Sequence, residues 1–392
     1  MSSSTPSQDA EIIVAGAGLA GSTILRHLVR LPGLQDKDIL VVDRNHEVAT
    51  DKTWCFWSDE DEFTESLVAH RWKTVALADA SGVYRYALKD TTYKCIRSED
   101  YLGACRAEID RYSNVRRVSA SVTGYGHDGS QATVVTSDGE LRATLVLQSV
   151  NKPQPIAKQR NPISLLQHFL GWEIEVDHDV FNLDEALIMD FRTDQKHGFA
   201  FVYVLPYSKR RALVEYTLFT AELLDRNDYE SALKTYVRDI LRISELHWKT
   251  IRSEYGVIPM EDTLYPAWIE RGVLNMGMNG GQSKPSTGYT FSRIQRYAVE
   301  VAKGIATRNM QDLNQLSPKR FLFYDRLILW LLREDPTVVP GIFIRLFEKN
   351  GADRVFKFLS EETHFGQELA IMASTRWRHF FRAIWRSVVR GR

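Results

Sequence analysis

Three glycines near the N-terminus, Gly16, Gly18 and Gly21, have the spacing of a turn that cradles a phosphate group. They follow a β-branched run at residues 11–15 and precede apolar residues with helical spacing at 24–31. Gly16 permits a tight turn, Gly18 lets the backbone approach a pyrophosphate, and Gly21 lets helix and strand pack closely. The helix N-terminus would then point at the anion. Such turns also occur for structural reasons alone, but this context favours nucleotide binding.

Asp43 ends a second apolar run, residues 39–42, and lies 22 residues beyond Gly21. A carboxylate at this distance can accept hydrogen bonds from the two hydroxyls of a ribose, and it would repel a 2′-phosphate. The pattern therefore predicts a dinucleotide cofactor, and it does not distinguish NAD from FAD.

A second glycine-rich segment carries Gly280 and Gly281. A short strand is predicted at 273–277, followed by a turn at 278–286 and a helix from about Thr287 to Arg308. A second helix N-terminus far along the chain would anchor the other half of a long cofactor, which favours FAD. The alternative is a surface loop rich in turn residues.

Glu215 lies in a strand-like run, residues 212–219, that pairs with residues 199–204 as a predicted antiparallel hairpin. The period of two places Leu213, Glu215 and Phe219 on one face. The pattern alone favours an ordinary carboxylate on a solvated face. The other interpretation is a carboxyl that takes part in chemistry among aromatic neighbours.

Residues 376–392 contain six arginines and no acidic residue, with aromatic and aliphatic residues at helical spacing between them. This pattern suits an anionic membrane surface. It also suits a terminal helix that docks on the protein's own core.

The 392 residues include 50 Lys plus Arg and 50 Asp plus Glu, so the formal net charge is zero. A dedicated nucleic-acid binder normally has a basic excess, so this class is excluded. Without the six tail arginines the remaining 375 residues have 44 basic and 50 acidic side chains. The composition, 44% apolar, predicts a folded protein with a mildly acidic body.

Three cysteines without a Cys-x-x-Cys pair support neither a disulfide framework nor a zinc site, and no metal is expected. A reducing cytoplasm fits this usage. The first ten residues have no apolar core typical of a secretory signal, and the longest apolar runs are about six residues. No membrane-spanning segment is predicted.

Several longer strings make the chain resemble the bacterial lycopene cyclases of carotenoid biosynthesis, over nearly its whole length. The glycine fingerprint is the least specific of them. The others are Asp51-Lys-Thr-Trp-Cys-Phe-Trp57, Met189-Asp-Phe191, Tyr203-Val-Leu-Pro206, Leu213-Val-Glu-Tyr-Thr217, Ile258-Pro-Met260 and Lys284-Pro-Ser-Thr-Gly-Tyr289.

This resemblance implies an α/β, two-domain FAD-binding flavoprotein: a Rossmann-like nucleotide domain, an inserted antiparallel-sheet substrate domain and a helical C-terminal region. The corresponding ranges are 1–164 and 261–310 for the nucleotide domain, 165–260 for the substrate domain and 311–392 for the helices. Gly16, Gly18, Gly21, Asp43, Gly280 and Gly281 are then the expected cofactor-binding residues.

The resemblance also implies the chemistry, a net non-redox cyclisation of membrane-dissolved lycopene with reduced FAD, for which NAD(P)H is the expected external reductant. Glu215 maps onto the glutamate of the acid step. Burial beside Tyr216, Phe199, Phe201 and Phe219 would keep its carboxyl protonated. The expected location is cytoplasmic, peripheral to the inner face of the cell membrane.

Two alternatives remain open, an FAD-dependent monooxygenase or dehydrogenase of the same fold and a non-catalytic carotenoid-binding flavoprotein. The sequence decides neither the number of ends cyclised nor the oligomeric state.

Overall fold

The structure is a computed structural model that describes residues 9–156, 161–310, 313 and 317–375. The strands of the described residues are β1 (Ala10–Ala15), β2 (Ile39–Asp43), β3 (Thr53–Phe56), β4 (His70–Trp72), β5 (Thr74–Asp79), β6 (Gly82–Ala87), β7 (Tyr93–Arg97), β8 (Val115–Ser119), β9 (Val122–His127), β10 (Ala132–Thr136), β11 (Gly139–Gln148), β12 (Ser164–Val176), β13 (Glu185–Asp190), β14 (Phe199–Ser208), β15 (Arg211–Thr220), β16 (Trp248–Glu261), β17 (Trp268–Glu270) and β18 (Val273–Asn275).

The α-helices of the same residues are α1 (Leu19–Arg30), α2 (Glu62–Ser66), α3 (Ser98–Ile109), α4 (Arg226–Asp239), α5 (Phe291–Thr307), α6 (Lys319–Glu334), α7 (Val339–Asn350), α8 (Ala352–Leu359) and α9 (Phe365–Ser374). No helix in the described ranges is both long and apolar enough to span a membrane. The predicted basic tail, residues 376–392, lies outside the described residues.

The first sheet has the strand order β17-β18-β11-β1-β2-β8, and its central pairs from β18 to β8 are parallel. Buried strands such as β2 are apolar up to their last residue, because both faces of a parallel sheet are covered. Helices α1, α3 and α5 pack in one core against this sheet. The predicted strand, glycine turn and helix at the N-terminus are confirmed.

The second sheet has the order β16-β12-β15-β14-β13-β5-β6 and is antiparallel except between β13 and β5. It takes in β5 and β6, which precede the 165–260 range, because β5 pairs beside β13. The hairpin of β14 and β15 is confirmed, with longer strands than predicted. Pairing continues to Ser208 and Arg211, so the turn is only Lys209 and Arg210.

Both faces of the second sheet are covered. One face packs in a core with helices α6 to α9, and the other packs against α4. A small third sheet has the order β3-β7-β4. Its residues pack partly in the core that contains α6 to α9 and partly in the core of the nucleotide sheet. The three sheets thereby enclose the space that contains the candidate site.

Candidate active site

A cavity of about 350 Å³ extends from the N-terminal glycine turn to the centre of the second sheet. Gly18 lines it at one end, and Glu215 lines it within the second sheet. The strand β3 and the loop before α5 contribute the remaining walls through Thr53 and Tyr289, among others. Of the six residues predicted for cofactor binding, Gly18 therefore shares one space with the predicted acid, Glu215.

The glycine turn has the local geometry that its sequence predicts. Gly16 has a φ of +100°, and a Cβ at this position would lie 2.4 Å from Ser149 Oγ. A Cβ on Gly21 would lie 1.8 Å from the carbonyl oxygen of Gly16, so only glycine lets the helix start this close to the strand. A Cβ on Gly18 would meet nothing within 4 Å, which leaves room for a ligand beside the helix N-terminus.

Asp43 holds this turn in place. Its Oδ2 accepts a hydrogen bond of 2.6 Å from the backbone N–H of Ala17, and its Oδ1 accepts one of 3.1 Å from that of Asn45. The carboxylate is half-buried, and each oxygen has a second lone pair. The position is compatible with the predicted ribose contact.

The second glycine-rich segment meets the first, although through other glycines than expected. Gly277, with a φ of +72°, lies against Ala20, since a Cβ there would be 3.1 Å from the Ala20 Cβ. Gly277 and Gly288 line the main cavity, whereas Gly280 and Gly281 line a neighbouring cavity of about 110 Å³. The glycines at 277 and 288 were present as a signal, but spacing alone does not show which positions approach the first turn.

Glu215 lies on a central strand and is only 8% exposed. The interpretation favoured by the pattern alone, a carboxylate on a solvated face, is therefore wrong, because β3, β7 and the segment before α5 lie over Glu215 on this face of the sheet. Thr217 donates a hydrogen bond of 3.0 Å from its Oγ1 to Glu215 Oε1. Within the register of the sheet, Glu215 lies opposite Tyr203 on one side and Gly171 on the other.

Glu254 is the main site residue that sequence reasoning missed. Gly171 pairs with Glu215 on β15 and with Glu254 on β16, so the three residues lie side by side across three strands. A Cβ on Gly171 would be 3.0 Å from Glu254 Cγ and 3.3 Å from Glu215 Cβ. The missing side chain of Gly171 thus lets two carboxyl groups meet within hydrogen-bonding reach.

The two carboxyl groups are electrostatically unlike. Burial raises the pKa of Glu215 well above its usual value, and the neighbouring Glu254 raises it further. Burial also raises the pKa of Glu254, but Glu215, Arg252 and Thr53 act in the opposite direction by stabilising its anion. The arrangement favours a neutral Glu215 beside an anionic Glu254.

The rings around Glu215 differ from those expected. Tyr216 points to the opposite face, into the core with α4, because successive strand residues alternate. Phe199, Phe201 and Phe219 pack on one another, and Phe199 also packs against Phe343 of α7. The aromatic residues that line the cavity are instead Trp54, Tyr93, Phe169, Tyr203, Tyr289 and Phe291.

The comparisons with known proteins agree with this geometry. Residues 11–386 match the family described as Lycopene cyclase protein. The chain belongs to the lycopene cyclase family. It is 26% identical over 299 residues to a lycopene beta-cyclase of Pantoea ananas, which covers 72% of this chain and 71% of that protein.

Members and relatives of the lycopene cyclase family differ in length and in the activities after which they are named. A chloroplastic neoxanthin synthase of Solanum tuberosum is 25% identical over 316 residues, or 75% of this chain and 60% of that protein. Among solved structures, a flavoprotein/dehydrogenase of Cytophaga hutchinsonii superposes with a TM-score of 0.64 at 10% identity, covering 96% of this chain and 99% of that chain. The fold is therefore that of the α/β two-domain flavoproteins with a helical C-terminal region.

One string that carried the resemblance to the lycopene cyclase family anchors the C-terminal helices. Lys284 is buried and forms ion pairs with Asp325 of α6, at 3.0 Å, and with Glu361 after α8, at 2.9 Å. Arg293 of α5 reaches the same Glu361 oxygen at 3.1 Å. These contacts fix Tyr289 and its neighbours where they line the cavity.

Gly171→Ala is expected to separate the two carboxyl groups, since the new methyl group would press on both side chains and on Leu213 Cδ1 at 3.1 Å. Overpacking of this kind costs about 1–3 kcal/mol of unfolding free energy. Urea denaturation should show the loss, together with reduced turnover of substrate. Gly124→Ala in β9, where the nearest atom is 3.9 Å away, is the matched control and should leave both unchanged.

Proposed function

We propose that this member of the family is a lycopene β-cyclase that closes the linear ends of lycopene into β-ionone rings, giving β-carotene via γ-carotene, with no net change of oxidation state. The observation that supports it most is the buried carboxyl of Glu215, whose pKa is raised by burial, in an aromatic cavity that begins at a nucleotide-binding turn. The reaction is that of an intramolecular lyase, within the isomerase class.

A terminal alkene is a very weak base, so its protonation needs a proton-bearing group in a pocket from which water is excluded. Glu215 meets this requirement and acts as the acid. The tertiary carbocation that follows would be stabilised by the faces of nearby rings such as Trp54, Tyr203 and Tyr289, at roughly 0.5–2 kcal/mol each when desolvated.

The residues present fit FAD. The open space above Gly18 and the close packing at Gly21 suit a pyrophosphate at the N-terminus of α1, and Asp43 lies beside the turn for the ribose. Gly16 provides the turn, and the segment with Gly280 and Gly281 would supply the second anchor. Reduced FAD, kept reduced by NAD(P)H, would supply negative charge near the developing cation.

Pigment analysis of lycopene-accumulating cells that express this chain tests the function directly. We expect lycopene to be replaced by a bicyclic product of unchanged mass with two β-ionone rings. A product with added oxygen or altered hydrogen content, formed with stoichiometric consumption of NAD(P)H, would indicate a monooxygenase or dehydrogenase instead. Bound flavin without conversion would indicate a carotenoid-binding protein.

We also propose that the chain is cytoplasmic and lies on the inner face of the cell membrane, where the basic tail binds anionic lipid and lycopene enters. Six arginines near such a surface contribute about 1 kcal/mol each. Deletion of residues 376–392 should therefore lower partition onto anionic vesicles more than about tenfold. A variant in which the six arginines are changed to lysine should still bind the vesicles. If the truncated protein partitions onto them as well as the full chain does, the tail does not bind the membrane.

A further inference from the structure

Glu215 and Glu254 approach each other at the centre of a sheet, with Gly171 between them, and both are buried at 8% and 2% exposure. Two carboxylates in contact at low dielectric repel each other strongly, so they do not both ionise at neutral pH. A pair of this kind takes up and releases protons as a unit.

The hydrogen bonds around the pair are unequal. Glu254 Oε2 accepts from Thr53 Oγ1 at 2.8 Å and from Arg252 Nη2 at 2.9 Å. Glu215 accepts only from Thr217 among the hydrogen bonds of the described residues, at 3.0 Å. Donors that are fixed on one carboxyl group stabilise its anion, so the shared proton belongs on Glu215.

We propose that Glu254 is the proton-sharing partner of Glu215: the pair holds one proton, Glu215 delivers it to the substrate, and the pair, doubly anionic only while the substrate carries the positive charge, recovers a proton when the ring is complete. This inference rests on the proposed cyclase function. It adds to that function a residue that keeps Glu215 protonated and gives the departing proton a destination inside the cavity.

The step is balanced without any co-reactant. The O–H bond of Glu215 breaks and a C–H bond forms at the less substituted carbon of the terminal double bond, which leaves a tertiary cation on the other carbon. The π electrons of a neighbouring double bond form the ring C–C bond. A C–H bond beside the new cation then breaks, its electrons form the ring double bond, and its proton passes to the carboxylate pair. Nothing is oxidised or reduced, and the pair ends as it began.

Other ionisable groups also face the pair from the elements packed against it. They are Lys52 and Cys55 at β3, Tyr203 on β14, Tyr289 before α5, and Arg252 on β16, with Cys95 and Tyr207 farther along the same wall. Burial raises the pKa of the thiols and phenols among them, so these remain neutral near pH 7. The carboxyl pair is therefore the group expected to titrate first as pH rises.

The first test is the pH profile of cyclisation with lycopene in liposomes and reduced FAD. Activity needs the protonated pair and should fall as pH rises through its upper pKa. Glu254→Gln removes the neighbouring anion, so the pKa of Glu215 falls. The loss of activity at high pH, the alkaline limb of the profile, should then move to lower pH by about one unit or more. The rate at the optimum should also fall at least tenfold. An alkaline limb at the wild-type pH would overturn the proposal, because a merely structural Glu254 would lower the rate without moving it.

The second test needs no turnover. The native pair keeps a proton that the unfolded carboxyls lose near pH 4.3, so stability is present below that pH and is lost as pH rises toward the folded pKa. The unfolding constant should rise by up to about tenfold per pH unit in this window. Glu215→Gln should weaken this dependence, since burial also raises the pKa of Glu254, Glu60 and Asp262, and Glu254→Gln should make it end at lower pH. Glu175→Gln, a change at a partly exposed residue of β12, should behave as wild type in this window.

These outcomes separate the two proposals. If no cyclic product forms but the unfolding constants behave as expected, the shared proton stands and the cyclase function fails. If cyclic product forms while Glu254→Gln leaves the activity limb and the unfolding profile unchanged, the shared proton fails alone. Should Glu254→Gln not fold, Glu254→Asp is tested in its place. Its alkaline limb of activity should move to lower pH by a smaller amount, and an unchanged limb would overturn the proposal.

Discussion

Glu215→Gln is expected to lower the conversion of lycopene to bicyclic carotene at least about a hundredfold, since general acid catalysis contributes factors of about 10²–10⁴. Glutamine has nearly the same shape and can still hydrogen-bond to Glu254 and Thr217, but its amide does not supply a proton. The measurement is pigment chromatography of lycopene-accumulating cells at matched protein levels.

The control for this variant is Glu175→Gln, the same chemical change on a partly exposed residue paired with Lys249. It should convert lycopene at the wild-type level. Bound flavin should be equal in both variants, because Glu215 lies away from the glycine turn within the cavity. Normal formation of bicyclic carotene by Glu215→Gln would show that another group provides the proton.

Gly21→Ala is expected to abolish flavin binding and to destabilise the fold. The new Cβ would lie 1.8 Å from the backbone oxygen of Gly16, and neither atom belongs to a side chain that could rotate away. Helix α1 must then shift from β1, at a cost of about 1–3 kcal/mol. Urea denaturation and the flavin absorbance of the purified protein measure the two effects.

Substitutions at two other glycines distinguish the effect of backbone strain from the effect of excluding the ligand. Gly18→Ala meets nothing within 4 Å, so its unfolding free energy should stay within about 1 kcal/mol of wild type, while the methyl group weakens flavin binding from the ligand side. The new methyl group of Gly103→Ala on α3 also meets nothing within 4 Å. This variant should lower neither the unfolding free energy nor the flavin content. Full flavin content in Gly21→Ala would contradict the role of this turn.

The local patterns were predicted well because their causes are local. A strand, three glycines and an amphipathic helix define β1 and α1 within about twenty residues, and strand alternation correctly placed Glu215 on the face of Leu213 and Phe219. The same alternation gave the wrong environment for Glu215, because it does not show whether the face is covered. The strand β3, more than a hundred residues earlier, and the segment before α5, some seventy residues later, cover it.

The sequence alone determined the nucleotide-binding turn, the family resemblance and the candidate acid, all of which depend on neighbouring residues or on whole strings. Only the tertiary structure decided that Gly171 and Glu254 complete the site, and that Gly277 and Gly288 rather than Gly280 and Gly281 line its cavity. The reason is that strand register joins positions some forty residues apart through backbone pairing, which leaves no local mark in the sequence.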